Sequence, residues 1–212
     1  TGIGSNAFRG AHDLRFLDLS HNLITWVETN AFRGARDLRH LDLSHNRISE
    51  LSPSVFGAAE NLRYLDLSHN NISAIEGTFP RYLRTVALRD NRIVRLSAGV
   101  FSSGHLRNLF IDENRIQEVE TGAFDAVPKL QYVWMGGNVL NCSSVQLPDG
   151  ASLGQDRGTS GADYTRRLRA ESETARQQRR REFIKRNTRS HLSQDAKVQQ
   201  HLRDLSLIHI SE

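Results

Sequence analysis

Residues 38–48 read LRHLDLSHNRI, and the pattern LxxLxLxxNxI that they form recurs along the chain. Three copies fit the pattern in full and three later ones fit it loosely, and successive copies begin 24, 24, 21, 23 and 24 residues apart. Their first residues are Leu14, Leu38, Leu62, Leu83, Leu106 and Leu130. A nearly constant period of this length is typical of a solenoid in which each repeat is one supersecondary unit.

The spacing inside the repeat indicates a short strand followed by a tight turn. Leu41 and Leu43 flank Asp42, and in a strand both leucines point to the same face. Asn46 follows where the chain must turn, and its carboxamide can satisfy backbone groups there. Six such asparagines are predicted to form a ladder: Asn22, Asn46, Asn70, Asn91, Asn114 and Asn138. A phenylalanine nine or ten residues after five of them predicts an aromatic spine: Phe32, Phe56, Phe79, Phe101 and Phe124.

This pattern resembles the leucine-rich repeat family, in particular its 24-residue class with the consensus LxxLxxLxLxxNxLxxLxxxxFxxL. That class is common in Toll-like receptor ectodomains, Slit-type secreted proteins and small matrix proteoglycans. The resemblance covers residues 1–142. It implies an α/β-type solenoid, which is a right-handed coil with a curved parallel β-sheet on its concave face and a mostly irregular convex side. It also implies a concave face that recognises other macromolecules.

The composition divides the chain into segments of different character. Residues 1–142, the predicted solenoid of about six repeats, are neutral, with 15 Lys plus Arg against 15 Asp plus Glu. Residues 143–162 are rich in Gly, Ser and Asp, which predicts a linker. Residues 163–204 have a helix-favouring composition without a steady heptad, so we expect a basic tail that is helical or disordered.

Both ends of the chain have features of a fragment. It opens in mid-repeat, since residues 5–11 match residues 29–35, and we expect a truncated N-terminus because a solenoid normally carries a capping repeat. Residues 205–212 read LSLIHISE, which matches a translated sequencing-library adapter, so we interpret them as an artefact. A reading-frame error near the linker is a further explanation for the change of character after residue 142.

Cysteine and sequon positions bear on the compartment. The stretch from Asn138 to Cys142 matches the entry to a cysteine-rich cap found in extracellular members of the family. Cys142 is the only cysteine, however, so that a disulfide within the chain cannot form. Two sequons, at Asn71 and Asn141, permit N-glycosylation in a secreted protein.

The sequence does not contain a recognisable catalytic or metal-binding motif. His21, His45 and His69 recur at 24-residue steps, but no carboxylate or thiol ligand joins them, which favours a role in the turn over a metal site. The aspartates at the centre of the first three strands are expected to pair with neighbouring arginines rather than to perform acid–base chemistry. We therefore predict a protein without enzymatic activity, cofactor, metal or small-molecule substrate.

The predicted outward strand positions change character along the solenoid. The first three rows are nearly uniform, whereas the last two place Phe110, Tyr132 and Trp134 side by side. Clustered aromatic side chains that face water mark interaction sites. We therefore predict a ligand-binding site on this part of the concave face, bordered by Arg89 and Asp112. The alternative is that Trp134 caps the open C-terminal end of the core.

These features favour a non-catalytic module that recognises a protein or glycan on its concave face, in a receptor ectodomain or secreted protein outside the cell. The alternative is a cytoplasmic scaffold whose basic tail contacts a second partner or an anionic surface. Residues 163–189 have 10 basic and 4 acidic side chains, a net charge of +6. Contact of this tail with nucleic acid or an anionic membrane is the less favoured interpretation.

Overall fold

The computed structural model describes residues 1–140 and 145–154. Within them, each repeat contributes one three-residue strand to a parallel sheet, and a two-residue strand extends this sheet at its C-terminal end. The sheet strands are β2 (Phe16–Asp18), β4 (His40–Asp42), β6 (Tyr64–Asp66), β8 (Thr85–Ala87), β10 (Asn108–Phe110), β12 (Tyr132–Trp134) and β13 (Ser152–Leu153). Their register follows the repeat, so that Leu41 lies opposite Leu17 on one side and Leu65 on the other.

Shorter parallel pairs are formed by segments that precede or connect the sheet strands. They are β1 (Gly2–Ile3) with β3 (Trp26–Val27), β5 (Glu50–Leu51) with β7 (Ala74–Ile75), and β9 (Arg95–Leu96) with β11 (Glu118–Val119). A 3-10 helix, Pro53–Phe56, follows β5. The other described residues form turns and irregular segments. The prediction of a solenoid with a parallel sheet and a mostly irregular opposite side is therefore confirmed.

The repeated leucines and phenylalanines build one continuous core. Leu38, Leu41 and Leu43 have no exposed surface, because the same positions of the neighbouring repeats pack on both sides of them. The phenylalanines stack in two series, one from Phe8 through Phe32 to Phe56 and one from Phe79 through Phe101 to Phe124. The ring centroids of Phe32 and Phe56, for example, are 5.7 Å apart. This burial requires stacked repeats, since a single repeat has a partner for its leucines only in its neighbours.

The asparagines of the turns join consecutive repeats through buried hydrogen bonds. The Nδ2 group of Asn70 donates to the carbonyl oxygens of Leu43 and Leu67, each at 3.0 Å. Its Oδ1 atom accepts from the Ile48 N–H at 3.0 Å. Corresponding bonds are made by Asn46, Asn91, Asn114 and Asn138. A carboxamide suits this position because it offers donors and an acceptor on one short side chain.

Strand β13 lies inside the segment that was predicted to be a linker. Ser152 pairs with Tyr132 and Leu153 with Val133, in the same parallel sense as the repeats. Leu147 and Leu153 pack against the core, so residues 145–154 cover its C-terminal end. Several predicted features lie outside the described residues. They are the rest of the predicted linker, the tail at 163–204, the segment 205–212, Asn141 and Cys142. Within the described residues, none of the helical structure is long and apolar enough to span a bilayer.

Candidate functional site

The sheet presents two rows of side chains on the side away from the leucine core. Successive side chains of a strand alternate between faces, so the first and third residues of each strand share the face opposite the buried middle residue. The register places Asn108 beside Tyr132 and Phe110 beside Trp134. The predicted site residues therefore occupy adjacent strands, β10 and β12.

Three aromatic rings pack together on these two strands. The rings of Phe110 and Trp134 are stacked, with centroids 4.4 Å apart and planes inclined by 19°. The ring centroids of Tyr132 and Trp134 are 5.5 Å apart, and the two rings are tilted relative to each other. Tyr132 is 47% exposed and Trp134 is partly exposed.

The expectation that all three rings face water is wrong for Phe110. This side chain has no exposed surface. Side chains on neighbouring strands are separated by only about 4.8 Å, so the larger indole of Trp134 stacks on the phenyl ring and covers one of its faces. Phe110 is consequently a support for Trp134, and the exposed part of the patch consists of Trp134 and Tyr132.

Trp134 also lies over the backbone of β13. A Cβ atom added to Gly154 would fall 2.5 Å from the indole Nε1 of Trp134, so the ring occupies the space that a side chain would need. Gly154 directly follows β13, and its N–H donates to the Val133 carbonyl oxygen at 2.8 Å, which places it next to Trp134. The indole therefore spans the sheet surface, whereas Leu147 and Leu153 cover the end of the core.

Arg89 and Asp112 form an ion pair next to this patch. The Arg89 Nε atom lies 3.2 Å from Asp112 Oδ2, and their side chains are 24% and 13% exposed. The Nε–H does not point along this contact, and Arg89 Nη1 is buried without a hydrogen-bond partner in the described part of the chain. Both residues were predicted to border the patch, and the structure shows that they also form an ion pair with each other.

A second group of rings lies on the first three strands, whose outward positions are nearly uniform in sequence and were not predicted as a site. Phe16 and His40 are stacked with centroids 4.4 Å apart, and His40 lies 5.8 Å from Tyr64. The three residues share the first position of β2, β4 and β6. Their common position in the repeat is the signal that would have predicted this stack.

Asp18, Asp42 and Asp66, each the last residue of its strand, were expected to pair with neighbouring arginines, and each accepts a hydrogen bond from the serine N–H two residues later. Asp42 Oδ1 accepts hydrogen bonds from the Ser44 N–H at 2.9 Å and the Ser44 hydroxyl at 2.6 Å. Asp66 accepts from the Ser68 N–H at 2.9 Å and from the Tyr64 hydroxyl at 3.0 Å. By strand parity, an arginine three residues before the aspartate falls on the other face.

The histidines form a column in the turns after the strands. The His45 ring stacks on the rings of His21 and His69, with centroids 4.2 Å apart in each pair. At the end of the column, His69 Nδ1 lies 2.7 Å from Asp90 Oδ2. The three histidines have φ angles of 54° to 56°, in the left-handed region where His, Asn, Asp and Gly are enriched. The turn geometry thus accounts for the repeated histidine. In the described residues, no group of three or more His, Cys, Asp or Glu side chains is arranged to hold a metal ion.

The sequon at Asn71 lies on the surface beside this column. The side chains of Asn71 and Ser73 are both exposed, and Ile72 between them is buried.

Comparison with known proteins identifies the repeat. A family model described as leucine rich repeat matches residues 1–48, 37–80 and 81–140. No curated protein matches the sequence. Among solved structures, a leucine-rich repeat protein of Leptospira interrogans is similar with 19% identity and a TM-score of 0.55, over 68% of this chain and 38% of that one. The structure of a TLR13–ssRNA13 complex is similar with 21% identity and a TM-score of 0.44, over 68% of this chain and 22% of that one. The chain thus spans less than half the length of either protein, and these similarities concern the fold.

Proposed function

This chain belongs to the leucine-rich repeat family, and from that premise we propose that it is a non-catalytic recognition module whose concave face binds a protein partner. The observation that carries the proposal is the group formed by Phe110, Tyr132, Trp134, Arg89 and Asp112, referred to below as the concave patch. It combines partly exposed aromatic rings with a half-buried ion pair on neighbouring strands. Aromatic side chains and arginine are the residues most enriched among the energetic anchors of protein interfaces.

The rigidity of the patch supports its assignment to binding. Trp134 is held between the Phe110 ring and the Gly154 backbone, so that its position is set before a partner arrives. A preorganised ring loses little conformational entropy on association. The exposed edge of Tyr132 adds a hydroxyl that can bond to the partner while its ring is buried.

The ion pair defines the chemistry that the partner would supply. Arg89 Nη1 is a buried donor without a hydrogen-bond partner in the described residues. A buried unsatisfied donor costs about 1–3 kcal/mol, and more when it is charged. The Arg89 side chain as a whole is 24% exposed, so a backbone carbonyl or a carboxylate of the partner would meet its positive charge at the surface. The proposed ligand is therefore a protein segment that places an apolar side chain against Trp134 and an acceptor near Arg89.

We further propose that the module acts outside the cell, as part of a receptor ectodomain or a secreted protein. The support is the likeness of its repeats to the 24-residue class and the exposed sequon at Asn71. The cytoplasmic scaffold is the competing proposal, and a full-length coding sequence with a signal peptide would decide against it.

Binding measurements with matched tryptophan variants test the recognition proposal. Binders of the full chain would be selected from a display library of protein domains, and their dissociation constants measured against Trp134→Ala and Trp26→Ala. Trp26 is 46% exposed and packs over Gly2, as Trp134 does over Gly154, but it lies in β3 and not on the concave sheet. We expect Trp134→Ala to weaken binding by about 2 kcal/mol or more, as truncated hot-spot aromatics do, and Trp26→Ala to leave it unchanged. Equal effects of the two changes would place the site elsewhere.

A further inference from the structure

Five arginines occupy equivalent positions immediately before the strands of five consecutive repeats. They are Arg15, Arg39, Arg63, Arg84 and Arg107. Each is joined to the next by a backbone hydrogen bond, from the N–H of the later arginine to the carbonyl oxygen of the earlier one, at 2.8 to 2.9 Å. Neighbouring strands are about 4.8 Å apart, so this arginine column is about 19 Å long. It runs along the edge of the sheet where the strands begin.

The positive charge of the column is not neutralised by the described part of the chain. The ion pairs that arginines form there involve Arg89 and Arg95, which are not members of the column. Asp13 and Asp37 precede the first two members by two residues but form no ion pair with them in the described residues. Residues 1–142 are neutral as a whole, so the column is a local separation of charge.

The arginines of the column repel one another. Burial lowers the pKa of Arg63, and the neighbouring Arg84 and Arg39 lower it further. Arg63 Nη1 donates to the Leu62 carbonyl oxygen at 3.3 Å, and its guanidinium lies 5.0 Å from the centre of the Tyr82 ring. The other four members are exposed. An anion bound along the column would relieve this repulsion.

We propose that the arginine column is a second interaction surface, separate from the concave patch, which docks an acidic, extended segment of a protein partner. The planar guanidinium forks match carboxylates in a two-point geometry. In an extended peptide, alternate side chains on one face are about 6.7 Å apart. Three acidic residues in alternate positions therefore span about 13 Å, which the column accommodates along its length.

The neighbourhood of the column favours a polypeptide over single-stranded nucleic acid. Binding of single strands relies on successive aromatic platforms on which bases stack. Beside the column, the guanidinium groups of Arg63 and Arg81 already lie 5.0 and 4.7 Å from the centre of the Tyr82 ring. The rings that directly follow three of its members, those of Phe16, His40 and Tyr64, pack on one another. The column thus offers charge and directed donors without a series of free stacking surfaces.

Charge reversal tests the proposal on the full chain. The probe is a fluorescein-labelled peptide of alternating Glu and Ser, and binding is followed by fluorescence anisotropy at about 150 mM salt, where long-range screening is substantial. We expect the double change Arg39→Glu and Arg84→Glu to weaken binding about tenfold or more, which corresponds to about 1.4 kcal/mol. Circular dichroism should show an unchanged fold, since both side chains are exposed and the ladder that joins them is made by backbone groups.

Two controls have the same change of net charge. The first control, Arg47→Glu with Arg92→Glu, replaces two exposed arginines that follow sheet strands, at the end opposite to the arginine column. Arg179→Glu with Arg180→Glu alters the basic segment near the C-terminus. Both pairs should change the affinity by no more than about threefold. An equal loss in either control would overturn the proposal, because attraction would then depend on total charge or on the other segment.

Competition identifies the class of partner. A heparin oligosaccharide and an oligouridylate of the same charge as the peptide are added as competitors. Weaker binding of both than of the peptide supports the proposal. Tighter, column-dependent binding of either would assign the column to a polysaccharide or to RNA and refute a protein partner, as would failure of the peptide to bind at all. Trp134→Ala should leave peptide binding unchanged, which separates this surface from the concave patch.

Discussion

Asn70 shows how a single polar side chain determines the geometry of the turn. Its carboxamide bonds to one N–H and three carbonyl groups that belong to two successive repeats, and Asn70 is 6% exposed. Backbone groups buried at such a junction have no access to water as a substitute partner. The recurrence of asparagine is therefore a hydrogen-bonding requirement, whereas the recurrence of histidine one residue earlier reflects the left-handed backbone there.

We expect Asn70→Ala to lower the free energy of unfolding by about 1–3 kcal/mol, because the buried Ile48 N–H loses its partner. The Leu43 and Leu67 carbonyl oxygens keep the hydrogen bonds that Asn46 and Asn91 donate to them. Urea denaturation measures the change. Asn71→Ala is the matched control, since that side chain is exposed, and it should shift the unfolding free energy by less than about 0.5 kcal/mol. Similar unfolding midpoints for the two variants would mean that the ladder does not stabilise the coil.

At the scale of the element, β13 depends on the absence of a side chain at Gly154. The indole of Trp134 lies where a Cβ atom would be. Introducing a methyl group must displace the ring, because it cannot fit at 2.5 Å. Overpacking of this kind typically costs about 1–3 kcal/mol.

Gly154→Ala is therefore expected to lower the melting temperature and to change the fluorescence of Trp134, measured in a Trp26→Phe background that leaves one indole to report. Gly104→Ala provides the comparison, since no atom lies within 4 Å of its added Cβ. If both alanines left the emission of Trp134 unaltered, the packing of β13 against β12 would have to be different from that described.

At the scale of the whole molecule, the solenoid is held together by contacts between neighbouring repeats. Leu43 has no exposed surface and lies between the equivalent leucines of the repeats on either side. Leu43→Asp would bury a charge without a partner, at a cost of several kcal/mol. Because each repeat contacts only its neighbours, we expect the repeats next to Leu43 to unfold before the distant repeats do.

Hydrogen exchange followed by mass spectrometry should detect this sequence of events in Leu43→Asp. Amide protection should fall first in β2, β4 and β6, while β10 and β12 remain protected. Leu23→Asp, at a side chain that is 56% exposed, serves as the control and should leave the pattern as it was. A Leu43→Asp variant that melts within a degree or two of the parent would contradict the stacking of the repeats.

The sequence pattern predicted the coil because its information is local and repeated. The alternation of Leu41, Asp42 and Leu43 defines both the strand and its buried face. Strand β13 could not be predicted in this way, since the SLG sequence at 152–154 has no leucine repeat and pairs only because β12 offers an open edge. The burial of Phe110 was missed for a related reason, because it depends on the size of the side chain on the next strand.

The left-handed turn residues limit how this protein can diversify. Each repeat has one residue with positive φ after its strand, and these residues are His21, His45, His69, Asp90, Glu113 and Gly137. A β-branched residue there would be strained in every repeat, so few side-chain types are tolerated along that margin. The strand surface carries no such restriction. Substitutions on the concave face can therefore change the binding specificity. The turn residues beside it stay restricted to a few residue types, whichever ligand is bound.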